Sequence, residues 1–252
     1  MRRDDTQIGG SQDRFPGTRY SAIVAARSLE PEERRRGFAT LIAAYWKPVY
    51  KYLRIQWKSP PEDAKDLVQS FFALAMEKGY FDRFDPAKAG FRTFLCTCLD
   101  GFVANERKAA RRIKRGGGHG IVSLDFEEAE GEFSRIEVPG PDDVQKYFEK
   151  EWVRSLFSLS VTTLRDRCEK SGKTVHFQLF EAYDLDAPMG GERCTYDDLA
   201  KRHGIPVTQV TNHLSAIRRE FRGIVLDHLR SLCGSEQEFR TEAAALLRQD
   251  GS

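Results

Sequence analysis

Across 252 residues there is no apolar run of membrane-spanning length. The longest, such as Leu41 to Trp46 and Phe71 to Met76, fall far short of the about 20 residues that a bilayer requires. An excess of one charge is also missing. Lys and Arg number 40 and Asp and Glu 38, a net charge of +2, which excludes a globally basic, histone-like binder and an acidic disordered tail. Local patches stay open, because a partner feels the charges near it rather than their sum. Cysteine is scarce: five residues, an odd number without framework spacing, fit a reducing compartment. Cys96-Thr97-Cys98 is too tight for a structural zinc knuckle, and no second pair follows. The start, Met1-Arg2-Arg3-Asp4-Asp5, leads into polar sequence rather than the apolar core of a signal peptide. Strand-like alternation and internal repeats are absent. So is a catalytic constellation. His203 and His213 have no acid–nucleophile pattern around them, and Gly116-Gly117-Gly118 lacks the Lys-Ser/Thr of a phosphate-binding loop. The expectation is a soluble, cytoplasmic, non-enzymatic protein with no cofactor and no metal.

What is present is helical. Hydrophobic residues make up 40% and charged residues 31%, enough for a core and suited to surface-rich helices. Length alone allows one or two domains at roughly 150 residues each. Residues 1–20, with Gly9, Gly10, Pro16 and Gly17, read as a flexible extension. Over residues 21–115 the spacing is helical. Pro31-Glu32-Glu33 marks a helix start, with proline in the first turn and acids at the positive end of the macrodipole. Leu41, Ile42, Tyr45, Trp46, Val49, Tyr50 and Leu53 then keep three-to-four spacing. Ser59-Pro60-Pro61-Glu62-Asp63 breaks the chain and starts a second helix, which Gly79 ends. Phe81 to Pro86 reads as a loop, and Phe91 to about Arg112 as a third helix.

Residues 116–143 change character. Gly116-Gly117-Gly118-His119-Gly120 cannot hold a helix, and residues 122–143 carry eight acids against the single base Arg135. With Pro139, Gly140 and Pro141, the stretch reads as a flexible acidic linker rather than core. Residues 144–230 return to helical spacing, interrupted from Asp186 to Gly191. Residues 231–252 read as an extension with one amphipathic helix, Ser235 to Ala245. The expected fold class is therefore all-α: two small helical domains joined by an acidic flexible linker, the second containing a helix-turn-helix.

That motif is the sharpest local pattern. Thr195-Tyr196-Asp197-Asp198 resembles a capping box, Leu199 and Ala200 suit a close helix crossing, and Gly204 supplies a residue free to take positive φ. Ile205, Pro206, Val207, Val210 and Leu214 would pin a second helix on the first. That helix would expose Thr208, Gln209, Thr211, Asn212, His213 and Ser215, short hydrogen-bonding side chains suited to base edges and phosphates. Arg218, Arg219 and Arg222 extend it and could hold a nucleic-acid backbone. A second signal is the run from Arg107 to Arg115, with six bases and no acid. It attracts a polyphosphate through counterion release, or it is a solvated helix end whose cations favour the C-terminus. Phe91 and Phe94 nearby either stack bases or pack the core.

Together these residues resemble bacterial RNA polymerase sigma factors of the sigma-70 family, extracytoplasmic-function type. Phe84-Asp85-Pro86, then Gly90-Phe91-Arg92-Thr93-Phe94-Leu95 and the basic run, look like region 2, with its FDP turn, GxFRxWL helix start and Arg-rich end. Pro61 to Phe72 looks like the acidic helix that docks on the polymerase clamp, and Thr195 to Arg222 looks like region 4. The resemblance covers about residues 38–115 and 150–228. It implies a non-catalytic subunit with core RNA polymerase and promoter DNA as partners, and leaves room for an anti-sigma factor or other regulator. Glu62, Asp63, Asp66, Leu67, Gln69, Ser70 and Phe71 would bind the polymerase. Arg92, Phe94, Asn105, Arg107, Lys108, Arg111 and Arg112 would take the −10 element's non-template strand, and the nine residues from Thr208 to Arg222 would read the −35 element. The linker would thread polymerase channels as a nucleic-acid mimic, or be a plain solvated tether.

The chain departs from the family pattern at Lys65, where an acid is usual and whose charge weakens a negative docking face. It departs again at Asp100-Gly101, where an Arg-Asn pair is usual and the glycine costs about 1 kcal/mol of helix stability, and at Pro206, which replaces a serine cap. The alternative is a helix-turn-helix transcriptional regulator that binds DNA without joining the polymerase.

Overall fold

A computed structural model describes residues 21–110, 124–135, 140, 143–186 and 194–249. Among the described residues all regular structure is helical. The order is α1 (Ala22–Ala25), α2 (Pro31–Gln56), α3 (Pro61–Glu77), a 3-10 turn (Tyr80–Arg83), α4 (Phe91–Ala110) and α5 (Phe126–Phe133). It continues with α6 (Val144–Lys170), α7 (Thr174–Phe180) running into a π turn (Glu181–Leu185), α8 (Tyr196–His203), α9 (Val207–Ser231) and α10 (Glu236–Gln249).

α2 is the central rod. It starts at Pro31, where proline fixes φ and loses no needed hydrogen bond, with Glu32 and Glu33 in the first turn. From Phe38 to Ile55 it is buried on nearly every side, the pattern of a helix enclosed by others rather than lying on a surface. α1 crosses it at Gly37, where a Cβ would lie 2.3 Å from the Ala26 nitrogen; only glycine allows that approach. α3 lays Val68, Phe71, Phe72 and Ala75 against α2 and ends at Gly79, whose φ of 61° is left-handed. Phe81 and Phe84 then meet Phe91 edge-on, 5.4 and 5.2 Å between centroids. Phe91 is thereby core, so of the two readings of this ring packing is the one observed.

Asp100 in mid-α4 has a structural use. Its carboxylate accepts the Trp57 Nε1–H at 2.8 Å and the Tyr52 hydroxyl at 3.1 Å, tying α4 to the end of α2. The neighbouring Gly101 is exposed and a Cβ there would meet open space.

The acidic stretch departs from the flexible linker that its composition predicts. Residues 126–133 form α5, whose Phe126 and Ala129 are buried against α2. Phe126 contacts Trp46 and Tyr50 at centroid distances of 5.3 and 5.4 Å. Glu130 accepts Arg54 through both carboxylate oxygens, at 2.8 and 3.1 Å, and the Tyr50 hydroxyl at 2.6 Å. Glu132 accepts Lys47 at 2.9 Å and Lys51 at 2.6 Å. Lys51 and Glu151 of α6 are each 1% exposed and paired at 2.5 Å. The acids that read as solvation are partners for a basic row on α2, some 80 residues upstream. Residues 116–123 and the rest of the expected linker up to 142, save 124–135 and Gly140, lie outside the described residues.

Packing forms two apolar clusters that share two helices. The amino half of α6 (Val144, Phe148, Trp152, Leu156) belongs to the α2 cluster, while Leu164 and Cys168 belong to the second. α9 runs the other way: Val210, Leu214, Ile217 and Ile224 are in the second cluster, Val225 and Leu229 in the first. The change of core thus falls inside α6 and α9. α10 covers the expected 235–245 helix and packs on the α2 cluster through Phe239, Ala243 and Leu246.

Candidate nucleic-acid interface

The second cluster holds up one outward helix face. α8 opens with a reciprocal cap: Thr195 Oγ1 accepts the Asp198 N–H at 3.2 Å, and Asp198 accepts the Thr195 N–H at 3.1 Å. The side-chain bond from Thr195, then its backbone N–H, hold the Asp198 carboxyl below its ordinary pKa. Gly204 takes φ of 63°, and the Ile205 N–H closes on the Ala200 carbonyl at 3.1 Å. Pro206 then caps α9 with extended backbone, so it opens the helix without the side-chain bond that a serine would supply. Leu199 and Ala200 bury against the cluster that contains Val210 and Leu214.

Thr208, Asn212, Ser215, Arg219 and Arg222 are all exposed, and their spacing of four and three places them on one face of α9. Gln209 is exposed beside them, and Thr211 is half-buried with its hydroxyl donated to the Thr208 carbonyl at 2.9 Å. Two of the nine sequence-predicted residues are engaged elsewhere. Arg218 forms a two-point ion pair with Asp184, at 2.9 and 2.8 Å, and lies 5.2 Å from the Tyr183 ring. It closes the π turn onto α9. His213 is half-buried with its ring 3.9 Å from that of His176. Burial first, then the neighbouring His213 and Lys173, push the His176 pKa below its ordinary value. Asp184 and His176 carry no sequence signal, since both sit in a segment that reads only as helix.

The residues grouped for the −10 element do not form one cluster. Arg92 and Phe94 stand at the amino end of α4. Asn105, Arg107 and Lys108 lie at the other end, about 20 Å along a helix rising 1.5 Å per residue. Arg92 is 16% exposed, ion-paired to Glu242 of α10 at 2.5 Å and 4.1 Å over the Trp152 ring. Phe94 is half-buried on Phe84 and Phe91. Asn105 and Lys108 are exposed, and Arg107 donates to the Trp57 carbonyl with its guanidinium 4.8 Å from the Trp57 ring. Arg111 and Arg112 lie outside the described residues.

On α3, Glu62, Asp63 and Asp66 are exposed and Leu67, Gln69 and Ser70 half-buried. Phe71 is different: it is 0% exposed, packed on Phe72 and Phe102, so a partner cannot reach it. Leu67, Phe71 and Leu74 share one stripe of α3 and Val68, Phe72 and Ala75 the adjacent one; Phe71 is buried together with the second stripe, whereas Leu67 and Leu74 are half-buried. Lys65 donates to Glu62 at 2.8 Å, drawing one acid of that face into an internal pair. Among the described residues no group of three His, Cys, Asp or Glu could hold a metal ion, and no helix is long and apolar enough to cross a membrane. No protein-family model matches the chain, and no curated protein or solved structure is significantly similar to it.

Proposed function

We propose that this all-helical chain is a sigma-type initiation subunit that joins core RNA polymerase and directs it to promoters through −10 and −35 elements. The observation that carries the reading is the outward face of α9. Thr208, Asn212, Ser215, Arg219 and Arg222 line up behind a capped α8 and a Gly204 turn, the arrangement of a helix-turn-helix whose second helix enters a major groove. Hydroxyl and amide groups lie towards its amino end, where base edges are read, and two arginines follow for phosphates. The exposed acids Glu62, Asp63 and Asp66 on α3 suit a basic polymerase surface, with Phe71 acting as support beneath them. The test is co-elution of the purified chain with core RNA polymerase, followed by run-off transcription. Co-elution and promoter-dependent transcripts are expected; absence of both overturns the reading.

A second reading is favoured by one observation: Arg92 is occupied by Glu242, while Arg219 and Arg222 of α9 stand exposed. A helix-turn-helix regulator that acts without polymerase needs only that face of α9. Sequence-specific duplex binding by the free protein, without core association, would select this reading.

A further inference from the structure

α10 holds the amino end of α4 with its acids. Glu238 Oε1 accepts the Phe91 N–H at 3.1 Å, and its Oε2 accepts the Gly234 N–H at 2.7 Å. One turn on, Glu242 accepts Arg92 Nη2 at 2.5 Å, with the guanidinium against Trp152. A helix-start N–H and an arginine beside it are groups that bind phosphate oxygens. Here two carboxylates of the same chain fill both.

Among the described side chains of α10 none is fully buried. Phe239, Ala243 and Leu246 are each only partly buried, and Phe239 sits 4.1 Å beneath the Arg230 guanidinium. The connection from α9 passes Gly234, where a Cβ would lie 2.4 Å from the Phe84 ring, so the strap is seated closely at its root and through charges beyond it. An element with few buried apolar contacts opens at lower free energy than the core it lies on.

We infer that α10 is an autoinhibitory strap, whose Glu238 and Glu242 occupy the places that phosphodiesters of single-stranded DNA would take at Arg92 and the start of α4. The inference rests on the proposed capture of a single strand by that end of α4. DNA and α10 then bind in mutually exclusive states, and strand affinity is reduced by the fraction of molecules with the strap closed.

The experiment uses the full chain, wild type, E238Q/E242Q and F239A, with a fluorescent single-stranded oligonucleotide followed by anisotropy. Each protein is also run over core RNA polymerase. E238Q/E242Q is expected to bind the strand about tenfold more tightly than wild type, because a charge-assisted pair no longer competes. F239A, which touches neither Arg92 nor the Phe91 amide, is expected to shift affinity the same way and to speed hydrogen exchange at Phe91. Should E238Q/E242Q fail to fold, F239A alone decides. Unchanged or weaker strand binding by the folded variants overturns the strap, and does so without touching the sigma reading if wild type still joins the polymerase. Tighter strand binding without polymerase association supports the strap and overturns the sigma reading instead.

Discussion

Two basic helix faces in this molecule have similar spacing and opposite fates. On α2, Lys47, Lys51 and Arg54 recur at intervals of four and three, and each is taken by an acid of α5 or α6. On α9, Arg219 and Arg222 recur at an interval of three and stand exposed beside Thr208, Asn212 and Ser215. The first face has spent its charge inside the fold; the second has charge to offer a partner. A row of cations in a sequence therefore says nothing of an interface until the acids that answer it are located. Distance in space, not along the chain, decides which rows are closed.

The largest expected effect comes from breaking the closed face. Lys51→Ala leaves Glu151, itself 1% exposed, with the largely exposed Arg154 as its remaining cation, and breaking such a buried pair costs about 3 kcal/mol. Urea unfolding should show this loss, and a change under about 1 kcal/mol would mean that the pair is not closed as described. The same face predicts acid sensitivity. Burial alone would raise Glu130 and Glu132, but hydrogen bonds from Arg54 and Tyr50 to the first, and from Lys51 and Lys47 to the second, hold both below their ordinary 4.5. With folded-state values depressed, their stabilisation is complete above pH 4.5 and is lost as the pH falls below it. Melting temperature followed downward from neutral pH should fall in that acid range, and less so in Lys51→Ala.

The open face should behave in reverse. Arg219→Ala with Arg222→Ala is expected to leave unfolding nearly unchanged while weakening duplex DNA binding about tenfold and lowering the salt slope by about 2. A fall in stability with no change in DNA affinity would place these arginines among the closed ones. Gly101, exposed on α4 where neither arrangement operates, supplies a reference: Gly101→Ala should stabilise by about 1 kcal/mol through helix propensity alone. The smallest effect is expected at the boundary between the two cases. Asp184→Asn removes the carboxylate that holds Arg218, a half-exposed pair worth less than about 1 kcal/mol. It should tighten DNA binding by about two- to threefold as a third arginine becomes free.

Much of this was legible in the residues. The all-helical class followed from apolar spacing, and the starts at Pro31 and Pro61 and the turns at Gly79 and Gly204 followed from residues with one physical use. The outward stripe of α9 was readable because exposure along a helix obeys a fixed period. What escaped depended on contacts between distant segments. The acids of α5 resemble solvated linker until Lys47, Lys51 and Arg54 are brought to them. Phe71 shares a stripe with the half-buried Leu67 and Leu74, and which residues of two adjacent stripes face in is decided by α2 and α4. Arg92 and Arg218 carry the same chemistry as Arg219 and Arg222, yet Glu242 and Asp184 hold them from elements whose position no local pattern encodes.

Run-off transcription with core RNA polymerase, the purified chain and a library of promoter-length DNA fragments tests the proposal most directly, with Arg219→Ala/Arg222→Ala run in parallel. The proposal expects the chain to co-elute with the polymerase, to yield transcripts from fragments sharing two spaced elements, and to lose most of that selectivity in the double variant. Transcription no different from core enzyme alone, with no co-elution, would contradict it.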